Sequence, residues 1–312
     1  VDEKVLLGFF LRELGEEDND VSYVDGFAVK VDGFAESWAK MPFHTYADLG
    51  WRAVAAALSD LLVKFAVPKA VLSSITAPDA QRAREIFDGI REAAAHFGVR
   101  YLGGDLNQGR EAVVDVVAIG AAPTRIGRRP RPGHVLIAPP LFGYTGLAFL
   151  AFKEAGRSPA VAKGISWLKR PTLDWPKPPP PDCVSASMDS SDGIADVLWT
   201  MARGVNIVLE RLPAPEEVVS EALSLGVDPE EVVLNAGEEF LPIFAVDPRC
   251  VPDGYVAFAR VVEGEGKVYY RGEELRFRGW AYFRSPETAK PGYKRACMAC
   301  TRWRPRPSLR YC

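Results

Sequence analysis

The stretch Asp189-Ser190-Ser191-Asp192-Gly193-Ile194-Ala195-Asp196 constrains this chain more than any other. Serine and aspartate stand just ahead of Ile194, Val197, Leu198 and Met201, which is how a helix N-terminus followed by an apolar stripe reads. A helix beginning near Ser191 puts Asp192 and Asp196 four residues apart on one face, where like charges repel. Asp189 precedes the turn, so three carboxylates can converge there. Hard oxygen ligands gathered in this way suit Mg²⁺, which typically takes about one or two carboxylates together with phosphate oxygens and water. The plainer alternative is an acidic first turn complementing the helix dipole. Further carboxylates elsewhere in the chain decide between the two.

Several qualify. The segment Ser22-Tyr23-Val24, Asp25-Gly26, Phe27 to Val31 predicts a hairpin, because an Asp-Gly turn lies between β-formers. Asp20 precedes it and Asp32 follows at a strand end. Thr45-x-x-Asp48 has capping-box form, and an Ala- and Leu-rich helix runs from Leu49 to about Phe65. Asp60 sits inside that apolar helix and needs a partner there, a metal ion or Lys64 at i+4, unless it faces solvent. A helix over 79–97 leads through a strand at 99–102 to Gly103-Gly104-Asp105, where a glycine pair lets phosphates approach the backbone. A plain turn accounts for such a triplet equally well.

Beyond these, strands are expected at 113–119, 135–138, 206–209, 241–246, 267–270 and 275–277, and helices at 5–14 and 215–225. Gly143-Tyr144-Thr145-Gly146 opens a further helix whose N-terminus could bind an anion. A proline run over 176–182 is a stiff connector to the acidic stretch. Strands and helices mix without regular alternation, so the fold class is α+β. The exposed-type linker Arg128 to Gly133 divides the chain into domains of 1–126 and 127–284.

Length and composition fit this plan. The chain has 312 residues, 48% hydrophobic and 25% charged, with a net charge of −3. Seven of its 38 basic residues and none of its 41 acidic ones follow Glu287. The body is therefore acidic, which suits metal binding and argues against nucleic acid as a partner. Residues 285–312 form a basic, cysteine-containing tail expected to be disordered or non-native, in which Cys297-x-x-Cys300 is only half of a zinc site. Cys183 and Cys250 stand isolated, and a chain of this size needs no disulfide framework. No apolar run of roughly eighteen residues and no signal pattern occurs, so the expectation is a cytoplasmic protein without a membrane partner.

Taken together, the motifs resemble the thiamine-monophosphate kinase family, within the superfamily of aminoimidazole ribonucleotide synthetase. The likeness runs from about Asp18 to Phe283. It rests on Asp189-Ser190-Ser191-Asp192-Gly193, Leu58-Ser59-Asp60, Gly103-Gly104-Asp105, Gly237-Glu238-Glu239, Asn19-Asp20 and the terminal Gly279-Trp280-Ala281-Tyr282-Phe283. The resemblance implies two mixed α/β-sheet domains, the first pairing into a homodimer that builds the nucleotide cleft. It implies transfer of the γ-phosphoryl of ATP to thiamine monophosphate. Asp20, Asp32, Asp60, Asp105, Asp189 and Asp192 would bind Mg²⁺, Gly104, Arg128 and Ser191 would contact ATP, and Glu238 and Trp280 would hold the thiamine part. No side chain is expected to act covalently, because phosphoryl transfer asks for positioning and charge neutralisation.

Some positions depart from the pattern. Asn19 replaces the first acid of a pair, Lys64-Phe65 replaces Met-Gly, Leu106 replaces Thr, and Ala39 replaces a substrate-side His, with His44 five residues on. These departures keep two alternatives open: a related ATP-dependent synthetase acting on another phosphorylated small molecule, or a nucleotide-binding dimer without catalysis.

Overall fold

The computed structural model of the chain describes residues 3–275. Helix α1 (Glu3–Leu14) comes first. The hairpin of β1 (Ser22–Val24) and β2 (Phe27–Ala35) follows, with Asp25 and Gly26 both at positive φ, as a tight two-residue turn requires. After a single-turn helix α2 (Glu36–Ala39) comes α3 (Tyr46–Val63). The capping box forms in full: the Asp48 N–H donates to Thr45 Oγ1 at 3.1 Å, and the Thr45 N–H donates to Asp48 Oδ2 at 2.9 Å. Strand β3 (Val67–Ala77), α4 (Ala80–His96), β4 (Arg100–Gln108) and β5 (Val113–Ala121) complete the first half.

These strands make a five-stranded sheet in the order β1-β2-β5-β3-β4. Strands β3 and β4 are parallel, joined across α4, and the other pairs are antiparallel. Helices α3 and α4 cover one face. Leu49, Leu58, Leu61, Ile86 and Ile90 meet Val114, Val116 and Ala118 there and are withdrawn from water.

In the second half the order is β6 (Val135–Ala138), α5 (Tyr144–Ala151), α6 (Pro159–Lys169), β7 (Val184–Asp189), α7 (Ile194–Met201), β8 (Val205–Leu209), α8 (Glu216–Ser224) and α9 (Pro229–Leu234). Strands β9 (Pro242–Val246), β10 (Val256–Glu263), β11 (Val268–Tyr270) and β12 (Glu273–Glu274) follow. They form a seven-stranded sheet, β12-β11-β8-β10-β6-β9-β7, in which β8 and β11 alone run parallel. The α+β reading holds, with two mixed sheets. An apolar seam of Val63, Phe65, Phe244, Val246 and Tyr255 joins α3 to β9 and its neighbours. No helix among the described residues is long and apolar enough to cross a membrane.

Two local expectations are corrected. The acidic helix starts at Ile194, behind Gly193 at φ 92°, so Asp192 lies outside it and shares no helical face with Asp196. A Cβ on Gly193 would come within 2.5 Å of the Ala236 carbonyl oxygen, and this packing fixes the bend that delays the helix. Gly103-Gly104-Asp105 lies inside β4 rather than after it. A Cβ at Gly104 would stand 1.7 Å from the Ser73 carbonyl oxygen, so close strand approach already requires this glycine. Among the described residues the last strand is Glu273–Glu274, and of the strand expected at 275–277 only Leu275 is described.

Strand β3, strand β10 and helix α9 carry no clear signal in the sequence. In β3 the reason is visible: Pro68 cannot donate to a ladder, and the register shifts between Pro68 and Ala70. The isolated cysteines Cys183 and Cys250 form a disulfide across 67 residues, because β7 and β9 are neighbours and bring their flanks together. Phe277, Gly279 to Phe283 and the basic tail lie outside the described residues.

Candidate active site

Three carboxylates from distant parts of the chain converge where the two halves meet. Asp20 comes from the turn before β1, Asp60 from the last turns of α3, and Asp189 from the end of β7. Each offers a ligand atom within 4.8 Å of the others, and all three are buried. The local reading of the acidic stretch expected Asp189 to gather Asp192 and Asp196, while the resemblance grouped it with Asp20, Asp32, Asp60, Asp105 and Asp192. In the structure it lies with Asp20 and Asp60, because the sheet directs the β7 terminus at α3. Asp196 is also buried, but its carboxylate pairs with Lys4 of α1.

Cations ring the triad. Lys30 Nζ lies 2.8 Å from Asp60 Oδ2 and 3.6 Å from Asp32 Oδ2. Lys64 Nζ lies 2.8 Å from Asp20 Oδ2 and donates to the carbonyls of Ser187 at 2.6 Å and Gly127 at 3.3 Å. The Arg128 guanidinium grips Asp20 Oδ1, with Nε at 3.1 Å, and reaches Asp18 at 2.8 Å. Asp60 therefore does not pair with Lys64 at i+4. Among the described residues Asp189 is held by hydroxyls: Ser59 Oγ donates to Oδ2 at 2.7 Å and Ser191 Oγ to Oδ1 at 3.3 Å.

The titration of these groups follows. Burial would raise Asp20, but Arg128 and Lys64 outweigh it and hold the carboxyl below its ordinary value. Asp60 is pushed well above its ordinary value by burial and by Asp189, Asp20 and Asp32, against the opposing pull of Lys30. Asp189 rises to about 6, through burial and Asp20. Burial also lowers the Lys64 ammonium, with Arg128 adding to the effect. An acidic group that must be desolvated to stay in place is well suited to a cation that later shares its charge.

The other expected residues sit as follows. Asp32, on β2, accepts the Gly33 N–H at 2.7 Å and borders the triad through Lys30. Asp105 is exposed on β4, three strands from β2, and accepts the Asn107 side-chain amide at 2.7 Å. Asp192 is half-buried in the loop after Asp189. That loop is braced by the acidic turn: the Glu238 N–H donates to the Ser191 carbonyl at 2.8 Å, and the Leu241 N–H to Ser190 Oγ at 3.0 Å. Glu238 itself, at φ 64°, forms a buried ion pair with Arg52 of α3. Trp280 lies outside the described residues. Asn19 uses its amide structurally, donating to the Ile126 carbonyl at 3.1 Å and accepting the Asp20 N–H at 2.9 Å.

Arg52, Ser59, Lys30 and Lys64 escaped the sequence reading as site residues. One signal was available. Arg52, Asp60 and Lys64 are charged positions within an Ala- and Leu-rich helix, spaced so that one side of it carries them all. His44 is also accounted for: Nδ1 accepts the Met41 N–H at 3.0 Å and Nε2 faces the Leu168 carbonyl at 3.1 Å. Burial, with Arg52 beside it, depresses its pKa to about 2, so it is a neutral bolt between α3 and α6.

At the start of α5 the expected anion site is filled from within. Glu239 Oε1 accepts the Gly143 N–H at 2.6 Å, while Oε2 is buried without a hydrogen-bond partner among the described residues. Burial raises Glu239 to about 8 from an ordinary 4.5. A raised acid contributes stability that is complete below its unfolded pKa and is lost as pH rises through its folded one. Between about pH 5 and 9 the wild type is therefore expected to lose thermal stability relative to Glu239→Gln, by up to roughly 5 kcal/mol. Paired melting curves across that window check this, and parallel curves would refute it.

The donor set of the triad is all oxygen and acidic, which fits a hard divalent cation such as Mg²⁺. Residues 14–122 match the family described as AIR synthase related protein, N-terminal domain. The thiamine-monophosphate kinase of Pyrobaculum calidifontis is 56% identical over 285 residues, covering 91% of this chain and 96% of that one. That of Nitrosopumilus maritimus is 27% identical over 315 residues, covering 91% and 99%. A solved structure described as AaThiL complexed with AMPPCP and TMP superposes with a TM-score of 0.80 at 22% identity, covering 90% of this chain and 97% of that one.

Proposed function

Since the chain belongs to the thiamine-monophosphate kinase family, we propose that its buried acidic centre serves the transfer of the γ-phosphoryl of ATP to thiamine monophosphate, yielding thiamine diphosphate. The observation that carries this reading is the convergence of Asp20, Asp60 and Asp189 between the two halves, bordered by Lys30, Lys64 and Arg128. Both reactants are polyanions, so the site must bring them together against their repulsion. Mg²⁺ held there would supply charge neutralisation and polarise the phosphoryl oxygens. Lys30 keeps Asp60 in place while the site assembles, and Ser59 and Ser191 orient Asp189. The brace between residues 189–193 and 237–241 fixes the acidic loop against Glu238, which with Trp280 would meet the thiamine part. Ser191, Gly104 and Arg128 would approach the nucleotide, and Asp32, Asp105 and Asp192 would complete the ligand set for the ions.

The direct test is incubation with Mg²⁺-ATP and thiamine monophosphate, followed by chromatographic detection of thiamine diphosphate. Product formation supports the reading. ADP released only with another phosphorylated acceptor would favour the synthetase-type relative, and nucleotide binding without turnover would favour an inactive dimer.

A homodimer is part of the proposal. One face of the first sheet is covered by α3 and α4. On the other face Phe27, Val31 and Leu102 are exposed. An exposed apolar face of this kind marks an association surface. A second copy covering it would also give exposed Asp105 a cleft to line. Sedimentation at micromolar concentration is expected to give the dimer mass, and Val31→Glu to shift it to monomer. A monomer at all concentrations would refute this part. The two domains are proposed to divide at about residue 126, within the connection between β5 and β6.

A further inference from the structure

We propose that Lys64 is a built-in cation of this centre: it occupies the Asp20 side of the triad, so that Asp20 is its counter-ion and divalent ions bind on the Asp60 and Asp189 side. The inference rests on the reading that the centre takes Mg²⁺ with ATP.

Lys64 ends α3 four residues after Asp60, and its side chain is fully buried. An ammonium has three protons to donate and no acceptor. Lys64 meets three oxygens, each from a different segment: Asp20 Oδ2, the Ser187 carbonyl of β7 and the Gly127 carbonyl of the connection before β6. That is the environment a small monovalent cation would have, and the side chain fills it without solvent.

Asp20 is engaged on both oxygens. Arg128 takes Oδ1 through two nitrogens, and Lys64 Nζ stands 2.8 Å from Oδ2 as an ion pair without hydrogen-bond geometry. A divalent ion on the same carboxylate would sit against two fixed positive charges. Asp60 and Asp189 differ. Asp60 pairs with Lys30 through Oδ2, and among the described residues Asp189 receives hydrogen bonds from the neutral hydroxyls of Ser59 and Ser191. The charge available to a divalent ion is therefore concentrated on these two. Asn19 agrees with this arrangement, because its amide is spent on Ile126 and on the backbone of Asp20 rather than presented to the centre. An acid missing at residue 19 and a base present at residue 64 shift the local charge in the same direction. Both reduce the number of divalent ions needed to balance the site.

The test counts bound Mn²⁺ by electron paramagnetic resonance, in the presence of a non-hydrolysable ATP analogue. Wild type, Lys64→Met, Asp20→Asn and Asp60→Asn are compared, each first checked for folding by thermal melting. Asp20→Asn is expected to keep the wild-type number of ions with affinities within about threefold, whereas Asp60→Asn loses at least one. Lys64→Met frees Asp20 Oδ2 and is expected to gain one Mn²⁺ per chain, or to tighten the weakest site about tenfold. Asp20→Asn keeps an oxygen for Lys64 and Arg128, so that arm stands even if Lys64→Met does not fold. Loss of an ion in Asp20→Asn equal to that in Asp60→Asn overturns the inference, as does an unchanged count and affinity in folded Lys64→Met. If wild type binds nucleotide but no Mn²⁺, the Mg²⁺ reading itself falls, which is a different result from either of these.

Discussion

Replacing Asp189 by asparagine is expected to lower kcat by about a hundredfold or more while raising stability above pH 6. The catalytic loss is of the size seen when one preorganised electrostatic group is removed. Asparagine keeps an oxygen for Ser59 but removes the charge that a cation in the centre would need. The stability gain comes from the same burial. Asp189 is 2% exposed, and its carboxyl is raised from an ordinary 3.8 to about 6. Its favourable contribution is complete below about pH 3.8 and lost as pH rises through about 6, so at neutral pH the ionised folded form is penalised. Relief of that penalty is worth up to about 3 kcal/mol. Steady-state kinetics and melting curves at pH 5 and pH 8 together check the prediction. A variant that is inactive and also less stable at pH 8 would mark Asp189 as a structural residue instead. Such opposition between activity and stability is expected where carboxylates are held together for a cation they have not yet met.

Arg52→Met is expected to cost about 3–5 kcal/mol of folding stability, the range for removing one partner of a buried ion pair. Arg52 is fully buried and Glu238 nearly so. The guanidinium also donates to the Ala39 carbonyl at 2.8 Å and lies 4.5 Å from the centre of the Phe34 ring. Methionine fills much of the volume but takes the guanidinium away from the buried Glu238 carboxylate, on a turn whose backbone is already at φ 64°. The double variant Arg52→Met with Glu238→Gln should recover a good part of the loss, because the group that lost the guanidinium is then neutral. A double-mutant cycle in urea isolates this coupling. Additive single effects would show that the pair contributes nothing of its own. The measurement also bears on function, since Arg52 holds the acidic turn that braces residues 189–193.

Much of the local architecture was legible in the sequence because it rests on local chemistry. Asp25-Gly26 dictated a hairpin turn with two positive φ angles. Thr45 and Asp48 dictated the start of α3, and Asp79 caps α4 through the Arg82 N–H at 2.9 Å. Motif order along the chain was sufficient to indicate the family, and with it the fold and the reaction, because those segments carry the residues the chemistry requires. Where local signals conflict with packing, the sequence misled. A serine-aspartate start was read for the acidic helix, yet the close approach of the Ala236 carbonyl to Gly193 delays it to Ile194 and removes Asp192 from its face.

What only the tertiary structure decided is the partnership of charges. Only the family resemblance set Asp189 in one ligand group with Asp20 and Asp60; read locally, the sequence placed it with Asp192 and Asp196, its neighbours along the chain. It offered Lys64 to Asp60 for the same reason. In the folded chain Asp60 turns to Lys30, Lys64 to Asp20, Asp196 to Lys4 and Glu238 to Arg52. Cys183 and Cys250 likewise find each other across 67 residues. A buried charge must be compensated wherever the fold leaves it, and the nearest opposite charge in space is set by how α3 lies between two sheets. Sequence proximity carries that information only within a turn of helix or a hairpin; beyond it, the sheet order decides.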